Sequence, residues 1–275
     1  MFRNRRLVIA TKHGKERVIS PILIEHLGVL PFTTDYLDTD LLGTFTGEIE
    51  RKLSPIEAAR KKCLLACQLN CCDLAVASEG SFLPHPQIGF ITIDHEILYL
   101  YDKKNELEIH VSEINTKTNF SSDKINSLGE LKEFARKVNF PSHHLILKTE
   151  ERKIVKGIKD WQTLEKQFSL LCGFSNEVIV ETDMRAMANP TRMQVIALTA
   201  KKLVDVANSL CPSCKWPGFS VIEHNQGLPC SNCNLPTRST LSHLYKCNKC
   251  MATKIKMYPN SKTVEDPTFC DYCNP

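Results

Sequence analysis

Through residues 1 to 208 the hydrophobic positions switch repeatedly between a strand-like and a helical period. Leu7 to Thr11 reads as a short buried strand, and Lys15 to Leu27 as an amphipathic helix that Gly28 ends. Val29 to Thr33 reads as a second strand, followed by an irregular stretch from Thr34 to Lys52 that includes Gly43-Thr44-Phe45-Thr46-Gly47-Glu48. Ser54 then opens a helix to about Asn70. Its hydroxyl suits the cap, Pro55 suits the first turn, and Glu57 stands three residues on as the reciprocal partner of a capping box. Leu74 to Ser78 is a continuous apolar run, the mark of a buried strand. Ile88 to Asp94 and Glu96 to Tyr101 are expected to be two strands around a tight turn, with Glu108 to Ile114 a third. A polar linker follows from Asn115 to Asn126. Helices at Leu128–Val138 and Trp161–Leu171 flank strands near Leu145–Lys148 and Val178–Glu181, and a last helix runs from about Thr191 to Ser209. This order predicts a mixed-sheet α/β domain over 1–208, with an early βαβ unit and a hairpin insertion.

From 209 to 275 the pattern changes to short strand-like runs (Phe219 to Ile222, Thr253 to Tyr258) among turn residues. Cysteine explains the change. Of 13 cysteines, eight form four Cys-x-x-Cys pairs: Cys211/Cys214, Cys230/Cys233, Cys247/Cys250 and Cys270/Cys273. Such a turn presents two sulfurs to one metal, and a second turn at the end of a hairpin completes a tetrahedron. The first and last gaps suit four-thiolate zinc sites of the C-x2-C-x15–20-C-x2-C kind. The layout is that of two consecutive zinc ribbons, although joining pair one with three and two with four would use the same residues. A disulfide framework would need an oxidising compartment, and a redox Cys-x-x-Cys would be expected once, at a strand–helix junction. A tail this short, with few large hydrophobes, needs metal binding to supply its stability. His224 and His243 are not needed as ligands. Cys63 and Cys67 fall on the apolar stripe of the helix after Ser54, where thiols act as small hydrophobes. Cys71 and Cys72 lie just beyond, so a third metal site is conceivable, whereas Cys172 stands alone.

Composition adds exclusions. Over 275 residues, 42% hydrophobic and 24% charged is ordinary globular usage. No apolar run approaches the roughly 18 residues of a membrane helix, so no membrane partner is expected. The apolar run behind the basic N-terminus, Leu7 to Ala10, is too short for a secretory segment, which predicts a cytoplasmic protein. The net charge is +4. In the tail, lysines and arginines outnumber carboxylates, but two zinc–tetrathiolate sites at a formal −2 each would bring it close to neutral. A nucleic-acid module should be more basic. Even so, Lys246, Lys249, Lys254 and Lys256 cluster near Tyr245 and Tyr258, so a small basic–aromatic face is possible. Docking or dimerisation through the ribbons, and a purely stabilising role, are the other readings; the oligomeric state stays open.

Three loops in the first domain follow strands, where open α/β sheets place ligands. Thr11-Lys12-His13-Gly14-Lys15 offers helix-start N–H groups, two lysines and a glycine for a phosphate, or is a solvated basic loop. Ser78-Glu79-Gly80-Ser81 puts an acid at a strand's carboxyl end, able to hold Mg2+ or activate water, or to serve as a plain turn acid. Glu181 to Arg185, followed by Asn189-Pro190-Thr191-Arg192, crowds charge and amides before a helix. There Thr191 could be a cap and Arg192 a surface residue.

The order of these features resembles the inosine-triphosphate pyrophosphatase superfamily, including its inosine/xanthosine triphosphatase branch. That family opens with strand–Thr-x-Asn-x-x-Lys–helix. Ala10-Thr11-Lys12-His13-Gly14-Lys15 is similar, with His13 where asparagine is usual. Glu57-Ala58-Ala59-Arg60-Lys61 looks like the family's Glu-Asn-Ala-x-x-Lys, with alanine for asparagine. Val76-Ala77-Ser78-Glu79-Gly80 falls where the family has its acidic loop, and Asn189-Pro190-Thr191-Arg192-Met193 is comparable to the start of its last helix. The family's Gly-Phe-Gly-Tyr-Asp-Pro segment has no counterpart. The resemblance implies that Lys15 holds a triphosphate, Glu57 and Glu79 coordinate Mg2+, and Arg192 clamps base or phosphate. Thr11, His13, Gly14, Ser78 and Gly80 would line the nucleotide. The products would be a nucleoside monophosphate and pyrophosphate. The whole chain also looks like an uncharacterised bacterial family in which such a domain precedes twin ribbons. The competing reading is a non-enzymatic zinc-ribbon module that binds nucleic acid or a protein.

Overall fold

The computed structural model describes residues 1–34, 53–85, 88–150, 153–174 and 177–275. From residue 35 on, the irregular stretch expected before Ser54 lies outside the described residues. The chain forms two compact units, Met1–Leu203 and Val204–Pro275.

The first unit is mixed α/β. One sheet holds β1 (Arg6–Ala10), β2 (Leu30–Thr33), β3 (Leu74–Pro84), β4 (Thr92–Asp102) and β5 (Leu107–Asn115) in the order β2-β1-β3-β4-β5. β1 is parallel to β2 and β3, while β3, β4 and β5 run antiparallel. α1 (Glu16–Leu27) connects β1 to β2 and ends where Gly28 turns left-handed at φ 65°. α2 (Pro55–Leu69) leads into β3 and starts with the expected Ser54/Glu57 capping box. It packs on the sheet face made by Val8, Ala10, Ala75, Ala77 and Tyr99. The facing residues of α2 are Ala59, Cys63, Ala66 and Cys67. Small side chains on both sides bring helix and sheet close, so Cys63 and Cys67 serve as packing groups. The other face presents Leu7, Ile9, Val76, Leu98 and Leu100, all buried.

Two expectations are corrected. Ser78-Glu79-Gly80-Ser81 is not a loop beyond a strand but lies inside β3, paired with β4. Asp94-His95-Glu96 is not a turn: β4 runs straight through it, paired with β3 along its whole length, and the turn into β5 lies at Lys103–Glu106. Asp94 and Glu96, two apart, point to the same buried face. Glu96 tolerates burial because Lys15 and Arg192, from other elements, meet it there.

A second sheet, in the order β6-β9-β7-β8, joins β6 (Ser122–Ile125), β7 (Leu145–Lys148), β8 (Ile154–Ile158) and β9 (Val178–Thr182). α3 (Leu128–Lys137) and α4 (Trp161–Cys172) cover it, burying Leu131, Phe134, Leu164 and Phe168 against Leu145, Leu147, Val178 and Val180. β6 forms inside the stretch expected to be linker. Only Ile125 of its four residues is buried, so it carries no hydrophobic period. α5 (Pro190–Asn208) follows β9; the Asn189 side chain accepts the N–H of Arg192 (3.0 Å) and His143 Nε2 accepts that of Thr191 (3.3 Å).

The second unit is a three-stranded antiparallel sheet, β10 (Ser220–Gln226), β11 (Thr240–Lys246) and β12 (Thr253–Met257), in that order. Three of the four Cys-x-x-Cys turns repeat one backbone design. Lys215, Asn234 and Met251, each just after a pair and each at φ near 60°, donate N–H to the carbonyls of Cys211, Cys230 and Cys247 (2.9, 3.0 and 3.0 Å). Its small core is Cys211, Phe219 and Cys247, with Trp216 and Tyr245 packed against it. No helix of the described residues is long and apolar enough to cross a membrane.

Candidate functional site

The four cysteine pairs converge on two tetrads that could hold metal ions: Cys211, Cys214, Cys247 and Cys250 in one, Cys230, Cys233, Cys270 and Cys273 in the other. The pairing is interleaved rather than consecutive. The reason is topological. Pairs one and three sit at one end of the β10–β11 hairpin, where β10 begins and β11 ends, whereas pair two sits at the opposite end. Pair four reaches pair two after β12, through a short 3-10 turn, Pro267–Phe269, capped by Asp266. In the first tetrad Cys211 and Cys250 Sγ are 3.6 Å apart, as are Cys214 and Cys247. In the second, Cys230–Cys273 and Cys233–Cys270 measure 3.9 and 3.6 Å. Four sulfurs about 2.3 Å from a tetrahedral zinc stand about 3.8 Å from one another, so the donor set and spacing suit that ion. Backbone N–H groups of the turns, from Cys214 to Cys211 and from Cys233 to Cys230, pull those two thiols below the usual cysteine range. This favours a thiolate, the form that binds metal, at Cys211 and Cys230, whereas burial and the neighbouring sulfurs push Cys214 and Cys233 up. His224 and His243 belong to neither tetrad, and no third cysteine group of this kind occurs among the described residues.

A second constellation lies in the first unit, beside the carboxyl end of β1. β1 feeds β2 on one side and lies parallel to β3 on the other, so this end is the switch point of the parallel part of the sheet, where ligands of open α/β sheets bind. Lys15, just ahead of α1, is buried and donates to Ser78 Oγ at 3.0 Å; its Nζ is 3.7 Å from Glu96 Oε2. Arg192, in the first turn of α5, is also buried. Its Nε lies 2.6 Å from Glu96 Oε1 and its Nη1 donates to the Met184 carbonyl at 2.5 Å. Gly80 pairs with Glu96 across the strands, and a Cβ there would overlap the Arg192 guanidinium and the Glu96 carboxylate. Glycine is therefore a condition of the ion pair. On the other sheet face Glu79 forms a buried ion pair with Lys62 of α2. Asp94 completes the set, fully buried beside Glu96.

The electrostatics follow from desolvation. Burial pulls the Lys15 ammonium down to about 8, opposed by Glu96 and assisted by Arg192. Burial pushes the Asp94 carboxyl up to about 7, with the Glu96 charge adding to it and Arg192 and Lys15 opposing. One oxygen each of Asp94 and Glu96 is buried without a hydrogen-bond partner.

The structure thus brings Lys15, Ser78, Gly80 and Arg192 together, with Glu79 on the adjoining face of the same strand. Gly14 and His13 form the bend of the β1–α1 loop, both at positive φ (75° and 68°), and the Thr11 hydroxyl bonds the Lys12 carbonyl at 3.0 Å. Glu57 is not brought to this cluster by its bonds. Its exposed carboxylate takes the Ser54 N–H and hydroxyl (2.9 and 2.6 Å), which hold it below the usual carboxylate range. Sequence reasoning missed Lys62, Asp94 and Glu96. Lys62 stands three residues after Ala59, within the buried stripe of α2, and Asp94-x-Glu96 keeps strand parity in an apolar run; both were visible signals.

Residues 62–275 match the model of a domain of unknown function, DUF6671. The chain belongs to that family. The DUF6671 match contains Lys62, Ser78, Glu79, Gly80, Asp94, Glu96, Arg192 and all eight paired cysteines; Thr11, His13, Gly14, Lys15 and Glu57 precede it. No curated protein matches the chain.

Proposed function

We propose that the chain is a zinc-stabilised protein whose first unit hydrolyses nucleoside triphosphates to the monophosphate and pyrophosphate. The observation that carries this reading is the buried set of three cations (Lys15, Lys62, Arg192) and three carboxylates (Glu79, Asp94, Glu96) at the switch point of the sheet. Burying so many charges is costly unless they are used or mutually satisfied. In this reading Lys15 and Arg192 bind phosphate oxygens, and Glu96 orients both cations. Water attacks the α-phosphorus, the bond to the bridging oxygen breaks, and pyrophosphate leaves. Asp94, with its pKa near neutrality, is suited to take the proton of that water.

Magnesium is judged by its donors. Glu57, occupied at the helix cap, does not fit it, and Glu79, Asp94 and Glu96 do not converge as a ready-made three-ligand site. Mg2+ usually takes only one or two carboxylates together with substrate phosphates, which Glu79 or the Asp94/Glu96 pair could supply. Bound in this way it would polarise the phosphoryl oxygens.

The test is pyrophosphate release by the zinc-loaded full chain from a panel of ordinary and deaminated nucleoside triphosphates with Mg2+. Release from at least one, reduced about a hundredfold or more in kcat/KM by Lys15→Met in a variant that keeps its unfolding midpoint, is expected. Release from none of them overturns the proposal, as does an Asp94→Asn variant as active as the parent.

A further inference from the structure

The second unit carries a surface unrelated to that chemistry. Strand register aligns His224 of β10 with His243 of β11 and Lys256 of β12. It aligns Val221, Tyr245 and Lys254 in the next row of the same face. The rings are adjacent: His224 and His243 centroids are 4.5 Å apart edge to face, His243 and Tyr245 6.4 Å apart and tilted, and Tyr245 stacks at 5.6 Å on the buried Phe219. Trp216 packs against the same group, with Lys249 Nζ 3.5 Å from its ring centre. Lys249, Lys254, Lys256 and His224 are exposed, and His243, Tyr245 and Trp216 half-exposed. The register places no carboxylate on this face: Glu223 pairs with Leu244 and so belongs to the opposite one.

A row of planar rings on a sheet, edged by ammonium groups about 7 Å apart along one strand, offers π-faces to flat heterocycles and positive charge to the groups linking them. We propose that this face binds single-stranded nucleic acid, with bases stacked along the His224–His243–Tyr245 row and phosphates on Lys254, Lys256 and Lys249. An acidic polypeptide would use the lysines but leave the rings idle, and a duplex hides its base faces.

The experiment is fluorescence anisotropy of labelled uridine and thymidine oligomers of about 12 nucleotides with the zinc-loaded full chain. Binding is expected to weaken steeply as salt rises from about 50 to 200 mM, because released counterions drive it. Lys254→Glu/Lys256→Glu, on a fully exposed strand, should weaken it at least about tenfold. The matched reversal Arg238→Glu/Lys262→Glu, off this face, should leave it nearly unchanged. His243→Ala should weaken binding without changing its salt slope, and zinc content serves as the check on folding. The proposal is overturned by absence of binding at low salt, by equal loss in both double variants, by a duplex or poly-glutamate binding as tightly as the single strand, or by His243→Ala having no effect.

Discussion

Asp94 sits on β4 beside a second carboxylate, and its folded-state pKa near 7 lies well above the range near 4 of an unfolded aspartate. The folded protein therefore holds this proton more tightly than the unfolded chain. The stabilisation is complete below about pH 4 and is lost as pH rises through about 7. Unfolding midpoints of the parent should fall between pH about 5 and 8 more steeply than those of Asp94→Asn, whose side chain does not titrate; equal slopes would refute the assignment. Lys15, pulled down to about 8, has the opposite sense, since its contribution grows as pH rises from there toward the usual lysine range. The neighbouring ion pair makes a second prediction. Arg192→Met leaves Glu96 buried without its main partner and should cost about 3–5 kcal/mol. Gly80→Ala should cost about 1–3 kcal/mol, by forcing a methyl into the space of the same pair. Glu57→Ala, at the exposed start of α2, should change chemical unfolding only slightly and leave any phosphohydrolase activity intact.

At the scale of elements, the interleaved tetrads tie both ends of one hairpin. Each metal would close a loop that contains two of the three strands, so losing either should loosen the entire three-stranded sheet. The pairing can be read from metal counts in native mass spectrometry. Cys211→Ser/Cys250→Ser removes two ligands of one tetrad and should lower zinc from two ions per chain to one. Cys211→Ser/Cys230→Ser damages both tetrads and should lower it to none or to loosely held metal. Consecutive pairing would reverse those results. The helices show the opposite kind of element, determined locally. α2 has its cap, its reciprocal Glu57 and its stripe of small residues within one short segment, and each appears where the pattern placed it. β4 differs because an acidic pair flanking a histidine has the look of a turn until the cations that meet Glu96 arrive from the β1–α1 loop and from α5.

For the whole molecule, the two units differ in what holds them together. Among the described residues the first buries large apolar clusters, whereas that of the second is three residues, two of them cysteines of one tetrad. A strong chelator should therefore collapse hydrogen-exchange protection in 220–257 while amides of β7 and β9 keep theirs. Loss of protection in both alike would argue against metal as the main stabiliser of the second unit. By itself the sequence determined what repeats or lies close along the chain. The eight paired cysteines, the capping box at Ser54, the left-handed stop at Gly28 and most helices are local signals, because short-range periodicity and turn chemistry act within a few residues. Only the tertiary structure decided which cysteine pairs share a tetrad, that Asp94 and Glu96 lie inside a strand, and that Lys15 and Arg192 meet one carboxylate. Those facts depend on partners 63 and 96 residues apart in the chain, Lys15 with Ser78 and Arg192 with Glu96. A charged side chain is read as surface until the fold supplies the opposite charge that lets it be buried.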